Sequence, residues 1–185
     1  MNEQPPSSLE IRDVARGLWV WRLEHPRWKP GQGWDRVVGS TCVESEGEVL
    51  VIDPLAPPAA EHAVWQRLDA HPPTAAVVLK PDHVRDVDVF VRRYRSRAFG
   101  PRLFFRHDVP ETELEFIEAG SRLPGQLIAL YDGRGRCETP LWLPEQRARF
   151  RRCFNRAGRP LARMGFSRTS GAGIASFTCA SRSTF

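Results

Sequence analysis

The order of apolar and polar positions predicts that the chain begins with three strands. Residues 18–23 (LWVWRL) are rich in strand-forming side chains and follow a turn at Gly17. Residues 37–44 and 48–52 predict two more strands, joined by a hairpin-like link at residues 45–47. The run from Val49 to Ile52 is continuously apolar, which is typical of a strand that is covered on both faces.

Two helices with a short strand between them are predicted next. A first helix is expected to open at Pro57 and Pro58 and to continue to about Ala70, because proline suits a first helical turn. Residues 75–79 predict a buried strand, and residues 80–85 a loop. Asp86 can cap a second helix. Each helix has one apolar stripe, formed by Ala60, Val64 and Leu68 in the first and by Val87, Phe90, Val91 and Tyr94 in the second.

Short strands are predicted in the following part of the chain, at residues 103–105, 114–117, 126–131 and 140–143. Turns are expected at Pro124-Gly125 and Asp132-Gly133. The alternation of strands and helices predicts an α/β (α+β) domain in which sheets are sandwiched and flanked by helices.

This pattern stops at the end of residues 140–147. Residues 148–185 contain eight arginines and no lysine, aspartate or glutamate, so this tail carries +8 and residues 1–147 carry −3. The chain is therefore divided into a flexible N-terminus (1–13), a folded domain (14–147) and a basic tail (148–185). The net charge of +5 comes from the tail and says little about the partners of the domain.

Two interpretations of the tail compete. It is either an arginine-rich arm that binds nucleic acid or an acidic partner, or a disordered, out-of-frame product of a GC-rich gene. We favour the second, because the apolar pattern ends abruptly at Ala148 and the tail has no lysine. Nucleic-acid binding is accordingly not expected of the domain.

Composition excludes several classes of protein. No apolar run reaches the roughly 20 residues that span a bilayer, and residues 1–9 lack the features of a signal peptide, so a cytoplasmic location and no membrane partner are expected. The cysteines are too widely spaced for a zinc ribbon or a redox motif and are expected to be free thiols; they are Cys42, Cys137, Cys153 and Cys179.

Several segments, in order, resemble a known family. Residues 17–21 (GLWVW), 38–41 (VGST), 49–54 (VLVIDP) and 140–147 (PLWLPEQR) resemble the metallo-β-lactamase-fold superfamily over about residues 14–147. The resemblance implies a metallo-β-lactamase-like αββα sandwich, incomplete at the C-terminus. It also implies a metal-binding loop of the form T-H-x-H-x-D-H, whose place is taken here by residues 77–86 (VVLKPDHVRD).

That loop departs from the family motif. A hydrolytic zinc site needs about three imidazole or carboxylate ligands and an open position for water. Two alignments of the loop are possible, and both put Lys80 where the family has a histidine. The resemblance also implies a second histidine between Asp132 and Pro140 and a bridging aspartate after Arg147, and neither is present. The candidate metal ligands that remain are Asp82, His83, Asp86 and Asp53, for zinc or iron.

Other interpretations of these residues are simpler. We favour His83 as a loop histidine that makes hydrogen bonds, Asp86 as a helix cap, and Asp53 as an acceptor for backbone donors in the neighbouring loop. Trp28 and Trp34 could line the mouth of a pocket.

The predicted function follows from the resemblance and its defects. The chain is expected to be hydrolase-like with a degenerate, truncated metal site, inactive in this form and without a cofactor. The alternatives are a non-enzymatic binding domain on the same fold with a basic tail, and a hydrolase with an unusual mononuclear site. The sequence does not identify a small-molecule substrate, since fold does not determine function.

Overall fold

The computed structural model describes residues 9–130 and 138–150, which form two sheets and two helices. The larger sheet has seven strands that lie side by side in chain order. They are β1 (Glu10–Ala15), β2 (Leu18–Glu24), β3 (Val37–Ser45), β4 (Glu48–Ile52), β5 (Ala75–Val77), β6 (Arg97–Gly100) and β7 (Glu115–Phe116). Strands β1 to β4 pair antiparallel, and β4 to β7 pair parallel.

The parallel strands are joined by the two helices. Helix α1 (His62–Ala70) connects β4 to β5, and α2 (Val87–Tyr94) connects β5 to β6. Parallel neighbours need such crossovers, whereas β3 and β4 are joined by a tight hairpin at residues 46 and 47. The prediction of a helix–strand–helix order after β4 is therefore confirmed.

One face of the large sheet packs against the helices. Trp21, Val51 and Ala76 from the sheet meet Leu68 and Phe90 from the helices in one buried cluster. The Trp21 indole N–H, which is fully buried, donates to the Leu55 carbonyl oxygen at 2.9 Å. This bond removes the cost of burying the polar end of a large aromatic side chain.

The other face of the large sheet packs against a second, smaller sheet. Its strands are β8 (Ile128–Ala129), β9 (Leu141–Leu143) and β10 (Ala148–Phe150), all antiparallel. Leu50 and Ile52 of β4 are completely buried in this second cluster with Leu127, Leu141 and Leu143. Because its alternate side chains enter two cores, β4 is covered on both faces, as its continuous apolar run predicts.

Some predicted element boundaries are wrong, and strands are found on both sides of residues 14–147. Strand β1 begins at Glu10, and strand β10 spans Ala148–Phe150. Helix α1 begins at His62, because residues 58–61 form a turn in which the Glu61 N–H donates to the Pro58 carbonyl. Residues 103–105 are not a strand. The chain leaves the sheet after Gly100, and Phe104 packs instead on the helix-side core.

The turn between β1 and β2 needs a glycine. Gly17 has a φ of +66°, and a Cβ atom there would lie 2.6 Å from the Glu44 carbonyl oxygen. The Glu44 N–H in turn donates to the Gly17 carbonyl at 2.7 Å. Only glycine allows both the left-handed backbone and this close approach to β3.

Among the described residues, no helix is both long and apolar enough to cross a bilayer. The predicted tail beyond Phe150 lies outside the described residues, as do Cys137, Cys153 and Cys179. Cys42 is described, and it is a buried free thiol whose burial raises its pKa.

Candidate functional site

The candidate site lies where the parallel strands β4, β5 and β6 end. The carboxyl ends of parallel strands share one edge of a sheet, which is where ligand sites of open α/β sheets are found. Asp53 follows β4 directly, and residues 78–86 follow β5. This topology brings together side chains that are about 30 positions apart in the sequence.

Asp53 is the centre of this edge. It is only 3% exposed and has a φ of 46°, which turns the chain sharply out of β4. Its Oδ1 accepts the Leu79 N–H at 2.9 Å, and its Oδ2 lies 2.8 Å from His83 Nδ1. Both carboxylate oxygens are therefore engaged by the loop that follows β5.

The charges around Asp53 set its pKa. Burial acts to raise the pKa of this carboxyl group, but the charge and hydrogen bond of His83, the charge of Arg85 and the Leu79 N–H together outweigh it. The pKa of Asp53 is consequently held below its ordinary value, and the side chain is a carboxylate at neutral pH.

Lys80 and His83 are both buried in the same loop. Lys80 is 7% exposed, and its Nζ lies 2.7 Å from Asp82 Oδ2. His83 Nε2 lies 3.9 Å from the other carboxylate oxygen of Asp82. The backbone N–H of His83 donates to the Lys80 carbonyl at 2.9 Å. Lys80, Asp82, His83 and the nearby Asp53 thus form a row in which cationic or potentially cationic groups alternate with carboxylates.

Arg85 and Asp86 fasten this loop to the neighbouring strand ends. The Arg85 guanidinium donates to the Gly39 carbonyl at 2.7 Å and to the Asp53 carbonyl at 2.6 Å. Asp86 is the N-cap residue of α2, as predicted, but its carboxylate makes no capping bond to that helix and instead accepts the Ala56 N–H at 2.7 Å. These two side chains hold backbone groups rather than point at a common ligand.

The sequence interpretation missed Glu138. It is buried, and its neighbour Thr139 donates a backbone N–H to the Leu79 carbonyl at 2.9 Å. Residues 138–139 therefore run beside the start of the loop. The signal in the sequence is an acidic residue separated by Thr139 and Pro140 from the first residue of β9, which is too weak to indicate a site.

The geometry does not fit a zinc or iron centre. Within residues 9–130 and 138–150, no group of three or more histidine, cysteine, aspartate or glutamate side chains could hold a metal ion. Of the four candidate ligands, Asp53 contacts His83 and Asp82 lies near it, while Asp86 is bonded to the Ala56 backbone. The Lys80 ammonium group at the same loop would repel a cation.

Comparison with known proteins gives a likeness in structure alone. No model of a known protein family matches the sequence, and no curated protein matches it. Among solved structures, the metallo-β-lactamase FIM-1 from Pseudomonas aeruginosa, in its mono-zinc form, matches with a TM-score of 0.56 and 15% identity, over 77% of this chain and 67% of that one. The metallo-β-lactamase from Pontibacter korlensis matches with a TM-score of 0.55 and 17% identity, over 77% and 70%. The metallo-β-lactamase IND-7 matches with a TM-score of 0.59 and 13% identity, over 97% of this chain and 80% of that one.

The chain has the metallo-β-lactamase fold. The fold predicted from the short sequence segments is thereby confirmed for the described residues, and the part of that prediction that concerns residues 151–185 lies outside them. In this metallo-β-lactamase fold, the described residues around the loop after β5 form a degenerate site, built from ion pairs and backbone hydrogen bonds.

Two longer loops meet at the same edge of the metallo-β-lactamase fold. Residues 25–36 follow β2 and residues 101–113 follow β6, and an ion pair of 3.0 Å joins Arg27 to Asp108. Strands β2 and β6 are four positions apart in the sheet, a span of about 19 Å, so these loops reach towards each other across the intervening strand ends. Trp28 and Trp34 are half-buried here, and the Trp28 indole donates to the Trp34 carbonyl at 3.0 Å.

Proposed function

We propose that this protein is a hydrolase-like member of the metallo-β-lactamase fold that does not catalyse metal-dependent hydrolysis. The observation that carries the proposal is the buried Lys80 ammonium group, 2.7 Å from Asp82, in the loop after β5. The fold is retained around this loop, but the chemistry of its side chains has changed.

A metallohydrolase needs a site that attracts a cation and leaves one position open for water. The metal lowers the pKa of that water so that hydroxide can attack the substrate. A unit positive charge about 4 Å from a divalent ion is repelled by about 8 kcal/mol at an effective dielectric constant of about 20. Lys80 at this place therefore opposes loading of the loop with zinc or iron.

The remaining ligands do not offset that repulsion. The Nδ1 atom of His83 is directed at Asp53, and both oxygens of Asp53 already have partners. His83 Nε2 and the partly exposed Asp82 are the groups of the loop that could still approach a metal. Two ligands beside an ammonium group are fewer than a stable zinc site requires.

The test combines metal analysis with a hydrolysis assay. Purified full-length protein is incubated with zinc or iron, desalted and analysed by mass spectrometry for bound metal, and hydrolysis of a chromogenic cephalosporin is followed with and without zinc. We expect less than a tenth of an equivalent of metal and no turnover.

A matched pair of variants makes the assay decisive. Stoichiometric metal that is lost on His83→Ala, but kept on replacement of the exposed His62 by alanine, would overturn the proposal. It would establish the mononuclear hydrolase instead.

A second candidate, a non-enzymatic binding domain, is favoured by the surface of the loop at residues 101–113. Leu103 and Val109 are 70% and 63% exposed there. A contiguous exposed apolar patch often marks a contact surface, and these two side chains belong to the loop that the Arg27–Asp108 ion pair joins to residues 25–36. The predicted contribution of the basic tail lies outside the described residues and stays a prediction.

Two probes test this candidate. Binding of the dye anilinonaphthalene sulfonate should fall at least twofold in a Leu103→Ser, Val109→Ser variant with an unchanged melting temperature; unchanged dye fluorescence would count against the loop as a contact surface. A fluorescein-labelled oligonucleotide should bind, if at all, only through the tail. We therefore expect any anisotropy change to vanish when the tail arginines are replaced by serine.

A further inference from the structure

The burial of Lys80 in the loop after β5 is unusual for a lysine side chain. A lysine is almost never fully buried unless its charge is paired. Lys80 is 7% exposed in a loop whose family counterpart carries metal ligands, and its Nζ contacts Asp82 at 2.7 Å. The lysine is therefore part of the internal structure of the loop rather than a surface charge.

We propose that the Lys80 ammonium group is the built-in cation of this site and that it organises the loop after β5 in place of a metal ion. The inference rests on the proposed function, because it requires the loop to fold without metal. It goes further by assigning a positive structural role to the residue that prevents metal binding.

The contacts of the loop show how one cation can organise it. Asp53 holds the backbone on one side of Lys80 through the Leu79 N–H, and it holds His83 on the other side. Asp82 lies between Lys80 and His83, and the His83 N–H closes the turn on the Lys80 carbonyl. A positive charge at Lys80 neutralises the carboxylate of Asp82, just as His83 and Arg85 act on the carboxylate of Asp53, so each acidic group of the site has a cationic or potentially cationic neighbour.

Removal of Lys80 or Asp82 alone is expected to lower the stability of the folded protein. Removal of one partner of a buried ion pair leaves an uncompensated charge and is strongly destabilising, whereas exposed pairs contribute little. Asp82 is 38% exposed, so water can solvate part of its charge if Lys80 is lost. We therefore expect a coupling between the two side chains that is intermediate between those two limits.

The experiment is a double-mutant cycle on the full-length protein, read by urea unfolding in the presence of a chelator. Lys80→Met keeps most of the side-chain volume and removes the charge, and Asp82→Asn removes the charge of the partner. We expect Lys80→Met to lower the folding equilibrium constant at least tenfold. The folding equilibrium constant of the double variant should be about tenfold higher than the value expected if the effects of the two single substitutions were independent.

The exposed pair Arg92–Glu111 is the matched control. Its side chains are 62% and 82% exposed and their charged atoms lie 2.9 Å apart. The same cycle with Arg92→Met and Glu111→Gln should give a coupling below twofold. If Lys80→Met does not fold, Lys80→Arg, which keeps the charge, should still fold with a chelator present, and failure of that variant too would overturn the proposal.

The outcomes separate the two proposals. A coupling below twofold between Lys80 and Asp82 in metal-free protein overturns the built-in cation and leaves the proposed function intact. Stoichiometric zinc in the wild-type protein, with a melting temperature that falls by several degrees on chelation, overturns the proposed function itself.

Discussion

Two clusters of charged side chains in this protein are built from similar groups in different surroundings. On the outer surface of the helices, Arg93 Nη2 donates to both carboxylate oxygens of Asp69, at 2.8 and 3.0 Å, and the guanidinium lies 4.7 Å from the centre of the Trp65 ring. At the ends of the parallel strands, Asp53, Lys80 and His83 are all buried. The surface pair makes three hydrogen bonds between the same two side chains, yet removal of a buried group is expected to destabilise the protein more.

Burial of the charged group, rather than the geometry of the pair, determines how much a charge contributes to stability. Water solvates either partner of the surface pair when the other is removed, so little free energy changes. A buried carboxylate or ammonium group has no such alternative.

Removal of the Asp53 side chain is expected to have the largest effect. Asp53→Ala leaves the Leu79 N–H and His83 without their acceptor and should lower the free energy of unfolding by about 3–5 kcal/mol. Asp69→Ala in the surface cluster should lower it by less than about 1 kcal/mol. Urea unfolding of both variants tests the comparison, and equal losses would contradict it.

Loss of the Arg85 guanidinium is expected to rank second. It donates to the carbonyls of Gly39 and Asp53 and thereby ties β3 and β4 to the loop. Arg85→Met should lower the free energy of unfolding by about 2 kcal/mol, since hydrogen bonds to charged groups contribute about 1.5–3 kcal/mol. Arg93→Met is the surface control, and a larger loss for Arg93 than for Arg85 would reverse the comparison.

The pH dependence of stability should differ between the clusters in the acid range. The pKa of Asp53 is lowered in the folded protein, so its contribution is present above its unfolded value, about 3.9, and is lost as the pH falls through the folded pKa. The stability gap between wild type and Asp53→Asn should therefore narrow as the pH falls below about 4. The pKa of the exposed Asp69 is also lowered, chiefly by its hydrogen bond to Arg93, but Asp69→Asn should change the profile much less. Parallel profiles for wild type and Asp53→Asn would exclude this role for Asp53.

The smallest effect concerns the phenol of the surface cluster. Partial burial and the hydrogen bond to Asp69 raise the pKa of Tyr94 to about 12. Asp69→Asn removes the charged acceptor and should lower this pKa, with little change in stability. Alkaline titration followed by ultraviolet absorption, with Tyr94→Phe to assign the signal, measures the shift. An unchanged titration in Asp69→Asn would show that the hydrogen bond is not maintained in solution.

The sequence predicted the elements whose side chains are buried on a regular period. Strands β2, β3 and β4 and helix α2 lie close to their predicted positions because their apolar residues enter the two cores directly. Strand β1 was missed because it is an exposed edge strand of mixed composition, so pairing with β2 decides its structure. Residues 103–105 have strand-forming side chains but no partner strand in the described part of the chain, and Phe104 packs on a core instead.

The site was predictable only in part, for a similar reason. Asp53, Asp82, His83 and Asp86 could be named from their positions relative to the strands and from the resemblance. The contact between Asp53 and His83, and the proximity of residues 138–139 to Leu79, depend on the parallel pairing of β4 with β5 and on the second sheet. Such contacts join residues 30 or more positions apart, and local patterns carry no information on them.

The order of residues 80–86 was enough to show that a lysine, two aspartates, a histidine and an arginine follow β5, and the resemblance implied that Lys80 takes the place of a metal ligand. The burial of this lysine, its pairing with Asp82 and the reach of Asp53 across to the loop became visible only in the folded structure. The contribution of a charge depends on its solvation and its neighbours, and both exist only after the strands have come together.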